Sequence, residues 1–203
     1  NYLGMVSLSA YSVSASDIFS VRQKIEGFNV ADLAWGTASA QTVTLSFWVR
    51  SSLTGTFGGA LYNSASTRSY PFSYTINAAN TWEFETITIA GDTTGTWLTN
   101  SSTGIEVNFG LGVGSTFSGT AGAWAGSDFR SATGATSVVG TNGATFYITG
   151  VQLEVGTNAS AFERIDYGRQ LIQCQRYCQY AGSGANGSFD GSTTTTIQIM
   201  EKC

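Results

Sequence analysis

An all-β chain folded as a two-sheet sandwich, most simply a jelly roll, is the class this sequence predicts, and three observations predict it. Segments with apolar residues at every second position recur between residues 17 and 155, the spacing of strands with one buried face. The 25 glycines, with abundant Asn, Ser and Thr, punctuate these segments, while proline occurs once. Helical patterning is confined to one stretch near the C-terminus, so the strands have chiefly one another to pack against.

Strands are expected at 17–25, 42–50, 56–62, 69–76, 82–89, 105–113 and 145–155, each with alternation or a β-branched and aromatic bias. In TVTLSFWVR, Val43, Leu45, Phe47 and Val49 share one face, while Thr44, Ser46, Trp48 and Arg50 share the other. Trp48 among polar neighbours has three readings: a second layer of the same chain covers it, another subunit meets it, or it offers a ring to a ligand. Pro71 in YPFSYTI lacks a ladder donor, which places that strand at an edge or its proline at a bulge. WEFETITI changes phase, from Trp82 and Phe84 to Ile87 and Ile89, and a bulge near Thr86 would reconcile a core position for all four. IEVNFGLGV sets Ile105, Val107, Phe109, Leu111 and Val113 on one face and Glu106, Asn108, Gly110 and Gly112 on the other. Its glycine face either packs closely beneath something or lines a shallow groove. A short helix or turn follows at about 168–180, and TTTTIQIM reads as an extra β segment beyond a Gly/Ser/Thr-rich linker. The domain organisation expected is thus an N-terminal segment 1–20, a sandwich 21–167 and a tail 168–203. A start at Asn1 rather than Met reads as a piece of something longer.

Composition excludes several function classes. Charged residues make up 11% of the 203 positions, against roughly 25% in an average soluble domain. The formal net charge is −4 and the nine Lys and Arg are scattered, so no basic patch offers itself to nucleic acid. No apolar run approaches the roughly 20 residues of a membrane-spanning helix. Histidine is absent, which removes Ser-His-Asp and Cys-His catalysis. Glycoside hydrolysis needs only two carboxyl groups, and Glu83 and Glu85 stand two apart on one strand face; a solvated strand face explains the pair equally. No catalytic residue is therefore assigned, and an enzyme is not expected. Cys174, Cys178 and Cys203 are too few, without histidine, to read as a metal set, and Cys174 and Cys178 read as small buried residues on one helix face. No cofactor is expected beyond a structural calcium ion, for which Glu26, Asp32, Glu154, Glu163 and Asp166 are candidates if they converge.

The five tryptophans and nine tyrosines carry more weight. Trp97 and Trp124 lie in the glycine-rich loops TTGTWLTN and TAGAWAGSDF, where each ring either plugs an end of the sandwich or stacks on a ligand such as a sugar. With Asp128 and Arg130 they form the candidate ligand set. Trp48 and Arg50 form the candidate subunit interface.

The segments VTLSFWVRSSLTGTFGGALYN, YPFSYTINAANTWEFETITIAGDTTGTW, SATGATSVVGTNGATFYITGVQLEVGTNASAFE and LIQCQRYCQY resemble a domain found towards the C-terminal end of tail-fibre and other virion-associated proteins of tailed bacteriophages. The likeness spans roughly residues 21–180, and LSFWV with YITGVQLEVG also resembles the jelly rolls of carbohydrate-binding modules. The resemblance implies a β-sandwich displayed on an extracellular phage particle, usually a homotrimer, contacting other virion proteins and a host-surface polysaccharide. It carries no residue-level site motif. Two functions are in view: a non-enzymatic receptor-binding fibre domain, or a structural virion protein (head fibre, capsid decoration or fibre shaft) with protein contacts alone. On this resemblance Trp48 and Arg50 would meet a neighbouring subunit or the segment 1–20.

Overall fold

The computed structural model describes residues 1–176. Asn1–Phe162 form one compact unit, and Glu163–Cys203 a second. The first contains ten strands: β1 (Leu3–Val6), β2 (Ile18–Glu26), β3 (Val43–Ser51), β4 (Gly55–Asn63), β5 (Ser69–Ile76), β6 (Glu83–Ile89), β7 (Thr103–Val113), β8 (Ser118–Gly119), β9 (Ser131–Ala132) and β10 (Thr145–Val155). One four-stranded sheet has the order β1-β10-β3-β6, the other β2-β7-β4-β5, and all their pairings are antiparallel. Strands successive in the chain alternate between the sheets or return to them as two Greek keys, which is a jelly roll. In the second unit, α1 (Tyr167–Gln175) opens on Asp166, whose carboxylate accepts from the backbone N–H of Gly168 at 3.0 Å and Arg169 at 3.4 Å. Cys174 lies on α1. Cys178, Cys203 and the TTTTIQIM segment lie outside the described residues.

The core is where period two places it. Val43, Leu45, Phe47 and Val49 of β3 are fully buried, facing Ile105, Val107, Phe109 and Leu111 of β7 across the sandwich. Phe47 meets Tyr74 and Phe109 edge to face, each at 5.0 Å between ring centres. β5 is an edge strand, one of the two places Pro71 allows, and the loop beyond it seals that edge through Gly122 N–H to Pro71 O and a bridge between Ser69 and Ala125.

Three features depart from the sequence expectations. Leu3–Val6, inside the segment set apart as 1–20, is a strand of the sandwich paired with β10. β6 has no bulge at Thr86: its register runs unbroken from Val43↔Ile89 to Val49↔Glu83. Phe84 therefore faces outward at 46% exposure, not into the core, and Trp82 is half-buried on the outer side. The inward positions fall to Glu83 and Glu85, which an edge strand tolerates because its rim stays within reach of water and turn donors. The β-bulge in this sheet lies instead in β10, between Thr149 and Gln152.

The glycine face of β7 resolves to close packing. Residues 114–144 fold back over the outer side of β7 and β4, with Val138 N–H on Leu111 O and Thr136 N–H on Thr56 O. A Cβ on Gly110 would stand 2.8 Å from Ser131 Oγ, so only glycine admits this third layer.

Candidate functional site

Two groups of aromatic rings lie outside the central core, and the fold treats them differently. The first closes one end of the sandwich. Trp35, buried, meets Trp97 at 4.8 Å and Trp124 at 5.2 Å, both edge to face, and Tyr70 meets Trp124 at 5.2 Å. All three indole N–H groups donate within the protein: Trp35 to Gln41 O at 2.8 Å, Trp124 to Ala90 O at 2.7 Å, and Trp97 to Asp92 Oδ2 at 3.2 Å. Asp92 anchors this end. Its carboxylate takes a two-pronged contact from Arg68, Nε at 2.8 Å and Nη2 at 2.6 Å. Burial pushes the Asp92 carboxyl up, but the hydrogen bonds from Arg68 and Thr94 outweigh it and hold it below its ordinary value. The geometry of Trp97 and Trp124 is thus that of a plug.

Asp128 and Arg130 do not join those rings. The Arg130 guanidinium lies 3.7 Å above the Tyr62 ring, donates from Nη2 to Ser66 Oγ at 2.7 Å, and has Nε 2.5 Å from Asp128 Oδ1. Beneath it the Tyr62 hydroxyl donates to buried Glu106 at 2.8 Å, and Arg22 reaches the same carboxylate at 3.4 Å. This cluster pins the third layer to the sheet. Asn108 Nδ2 does the same, donating to Arg130 O at 2.7 Å.

The second aromatic group stands on the outer face of the β1-β10-β3-β6 sheet. The ladder sets Trp48 opposite Phe84 on one side and Thr149 on the other, and Arg50 opposite Tyr147. Trp48 and Phe84 touch at 5.2 Å with planes 46° apart, and 43% and 46% of their surfaces are exposed. Next along the face, Tyr2 packs on Trp82 at 5.9 Å and edge-on to Tyr147 at 5.3 Å. Gly4 makes this possible, because a Cβ there would stand 2.7 Å from the Tyr147 ring. Arg50 is oriented by its Nε donating to Asn80 O at 2.8 Å, with its guanidinium 5.3 Å from the Tyr147 ring centre. Towards the other end of the same face the chain covers itself: Thr44 and Ser46 are buried, and Thr44 Oγ1 donates to Gly156 O at 2.8 Å. The open rings are therefore one contiguous patch, not scattered exposure.

The remaining chemistry is structural in geometry. Glu83 caps a turn: its carboxylate accepts from Asn77 N–H at 2.9 Å, Ala78 N–H at 2.7 Å and Asn77 Nδ2 at 2.8 Å, and these bonds hold it below its ordinary value. Glu85 is pushed the other way, first by burial and then by the charge of Glu83. Divergent carboxyl groups can mark an acid–base pair, but every Glu83 contact named here serves the turn. Of the calcium candidates, Glu154 is engaged by Ser160 N–H at 2.8 Å and Gln152 Nε2 at 3.0 Å, and no group of three or more His, Cys, Asp or Glu among the described residues is placed to hold a metal ion. Between the sheets, on the side where β10 and β2 form the rims, openings of about 400 and 340 Å³ are lined mainly by aliphatic side chains, and Phe109, the one ring among the lining residues, is buried in the core.

No family model matches the chain, and no curated protein matches it. Among solved structures, one described as "CBM4 structure and function" aligns with a TM-score of 0.40 at 14% identity, over 71% of this chain and 67% of that one.

Proposed function

We propose that this chain is a non-enzymatic receptor-binding domain of a bacteriophage fibre, and that it takes a host-surface glycan on the outer face of the β1-β10-β3-β6 sheet. The observation that carries the reading is the patch of Trp48, Phe84, Tyr147, Trp82 and Tyr2 beside Arg50, half-exposed and held on a sheet. Apolar sugar faces stack on such rings, while Arg50 and Thr149 alongside supply directional polar contacts. The glycan is placed here and not on Trp97 and Trp124 because the indole donors of those two are already used within the fold. The sequence likeness to virion-associated domains supplies the setting, and a surface of neutral hydroxyls and amides suits it.

Binding of the chain to purified host-envelope polysaccharides, read on a glycan array or by calorimetry, tests the reading. A Trp48→Ala, Phe84→Ala double variant should bind at least about tenfold more weakly, equivalent to about 1.4 kcal/mol. Absence of binding to any envelope polysaccharide, or equal binding by the variant, would sink it.

One observation favours a second reading, a structural virion protein with protein contacts alone. The outer rings are tilted against one another, by 46° between Trp48 and Phe84 and 55° between Tyr2 and Trp82, so they present an uneven surface that suits an interdigitating protein neighbour. Trp48 and Arg50 would then meet a sister subunit or another virion protein. Imaging of labelled chain on the particle separates the readings: a distal tip position fits a receptor binder, a capsid or collar position a structural part.

A further inference from the structure

β1 pairs with β10 only from Val6↔Thr145 to Leu3↔Ile148. Beyond that point β10 has β3 on one side, and among the described residues no strand pairs on the other. The backbone phase of the open stretch can be assigned. Gly156 N–H donates to Thr42 O, in step with the pairs Glu154↔Thr44 and Gln152↔Ser46. Bonded and non-bonded pairs alternate along an antiparallel ladder. The even residues therefore turn their N–H and C=O to β3, and Leu153 and Val155 turn theirs to the open side. Below this edge run the two interstrand openings, which share Ile25 and Leu153 in their walls. Flanking side chains are apolar and uncovered: Val151 is 40% exposed and Val155 53%. Sheet edges of this kind are ordinarily covered or charged, because they recruit another strand.

We propose that a second copy of the chain covers this edge, β10 pairing antiparallel with the partner's β10 about a twofold axis at Leu153. The axis position follows from what stands on either side. Centred there, Val151 lies opposite the partner's Val155, and the valines and leucines of both copies form one apolar stripe over the openings. Gln152 lies opposite the partner's Glu154, a pairing without like charges; within each copy Gln152 Nε2 already donates to Glu154 Oε1 and Ser160 Oγ. A shift one way would set Glu154 against the partner's Glu154, and like charges directly opposite destabilise a pair. A shift the other way would drive the partner's strand into Asn1, whose carbonyl is held beside β10 by Thr149 Oγ1 at 2.7 Å. The same patch on both copies makes the contact self-complementary and closed. A ladder this short belongs with the smaller, transient interfaces, below roughly 1,200 Å², so association depends on concentration.

Sedimentation of the 203-residue chain across a micromolar to near-millimolar range, with circular dichroism as a folding control, tests the proposal. A monomer–dimer equilibrium is expected. Val155→Asp, at a solvent-exposed position, should weaken it at least about tenfold by burying a charge in the stripe. Val151→Asp, opposite the partner's Val155, should weaken it as well. A chain that stays monomeric overturns the proposal. So does a dimer or trimer indifferent to Val155→Asp and Val151→Asp, or an association lost in Trp48→Ala and kept in Val155→Asp. None of these readouts involves glycan, so failure here leaves the proposed binding face untouched.

Discussion

The tryptophans at the end of the sandwich and the rings on its outer face differ little as side chains and greatly in their surroundings. Around Trp35 the rings meet edge to face, each indole N–H has an internal acceptor, and Asp92 with Arg68 closes the perimeter. Around Trp48 the neighbours lie to one side, and the other side of the rings meets solvent. An aromatic residue whose polar atom and edges are both accommodated contributes to stability. One held rigidly with a face uncovered contributes little to stability and is free to contribute to binding.

Substitutions can break this contrast, and the largest effect should come from the plug. Trp35→Ala empties a buried site and should cost about 3–5 kcal/mol in denaturant unfolding, with any loss of glycan binding explained by unfolding alone. Asp92→Ala should follow at about 3 kcal/mol, since it strands the Arg68 guanidinium in a largely buried position and leaves the Trp97 donor with Thr94 O alone. Trp48→Ala sharpens the contrast from the other side: unfolding free energy should fall by less than about 1 kcal/mol, the scale of one exposed aromatic pair. A stability loss for Trp48→Ala as large as that for Trp35→Ala would erase the distinction.

The smallest effects concern β6, which carries Phe84, and they have opposite signs. Glu83 is held below its ordinary value of 4.5, so its contribution is present above that pH and lost as pH falls through the lowered folded value. Glu83→Gln should therefore destabilise at neutral pH, with the difference vanishing in acid. Glu85 is held above 4.5, so the folded state favours its acid form; stability is full below 4.5 and lost as pH rises through the raised folded value. Glu85→Gln should accordingly stabilise at neutral pH and make no difference in acid. Thermal melts of both variants between pH 3 and 7 check the signs, and parallel curves would mean that the two carboxyl groups share one environment.

Much of the sandwich was legible because alternation survives without knowledge of neighbours. TVTLSFWVR and IEVNFGLGV name their buried faces residue by residue, and Pro71 narrows its strand to an edge or a bulge. LGMV was missed as a strand, being short and half-hidden by a glycine that only Tyr147 explains. WEFETITI was misread because hydrophobicity alone assigns Phe84 to the core, whereas register with β3 assigns it to Trp48. The outer ring patch was legible in part. The sequence reads Trp48, with Arg50, as a subunit interface and assigns the ligand to the loop tryptophans. Trp48 stood out as misplaced on a polar face. Tyr2, Trp82 and Tyr147 did not, since residues so far apart in the chain meet only once β1, β10 and β3 are laid side by side.

The residues alone determined the sandwich, its core faces and the absence of histidine chemistry, since these depend on local periodicity and composition. Which tryptophans became plug and which stayed open was decided by tertiary structure. Exposure is a property of what lies above a residue, and what lies above Gly110 or Trp35 comes from loops distant in sequence. The open edge of β10 is of the same kind: a strand has an edge only relative to the strands beside it.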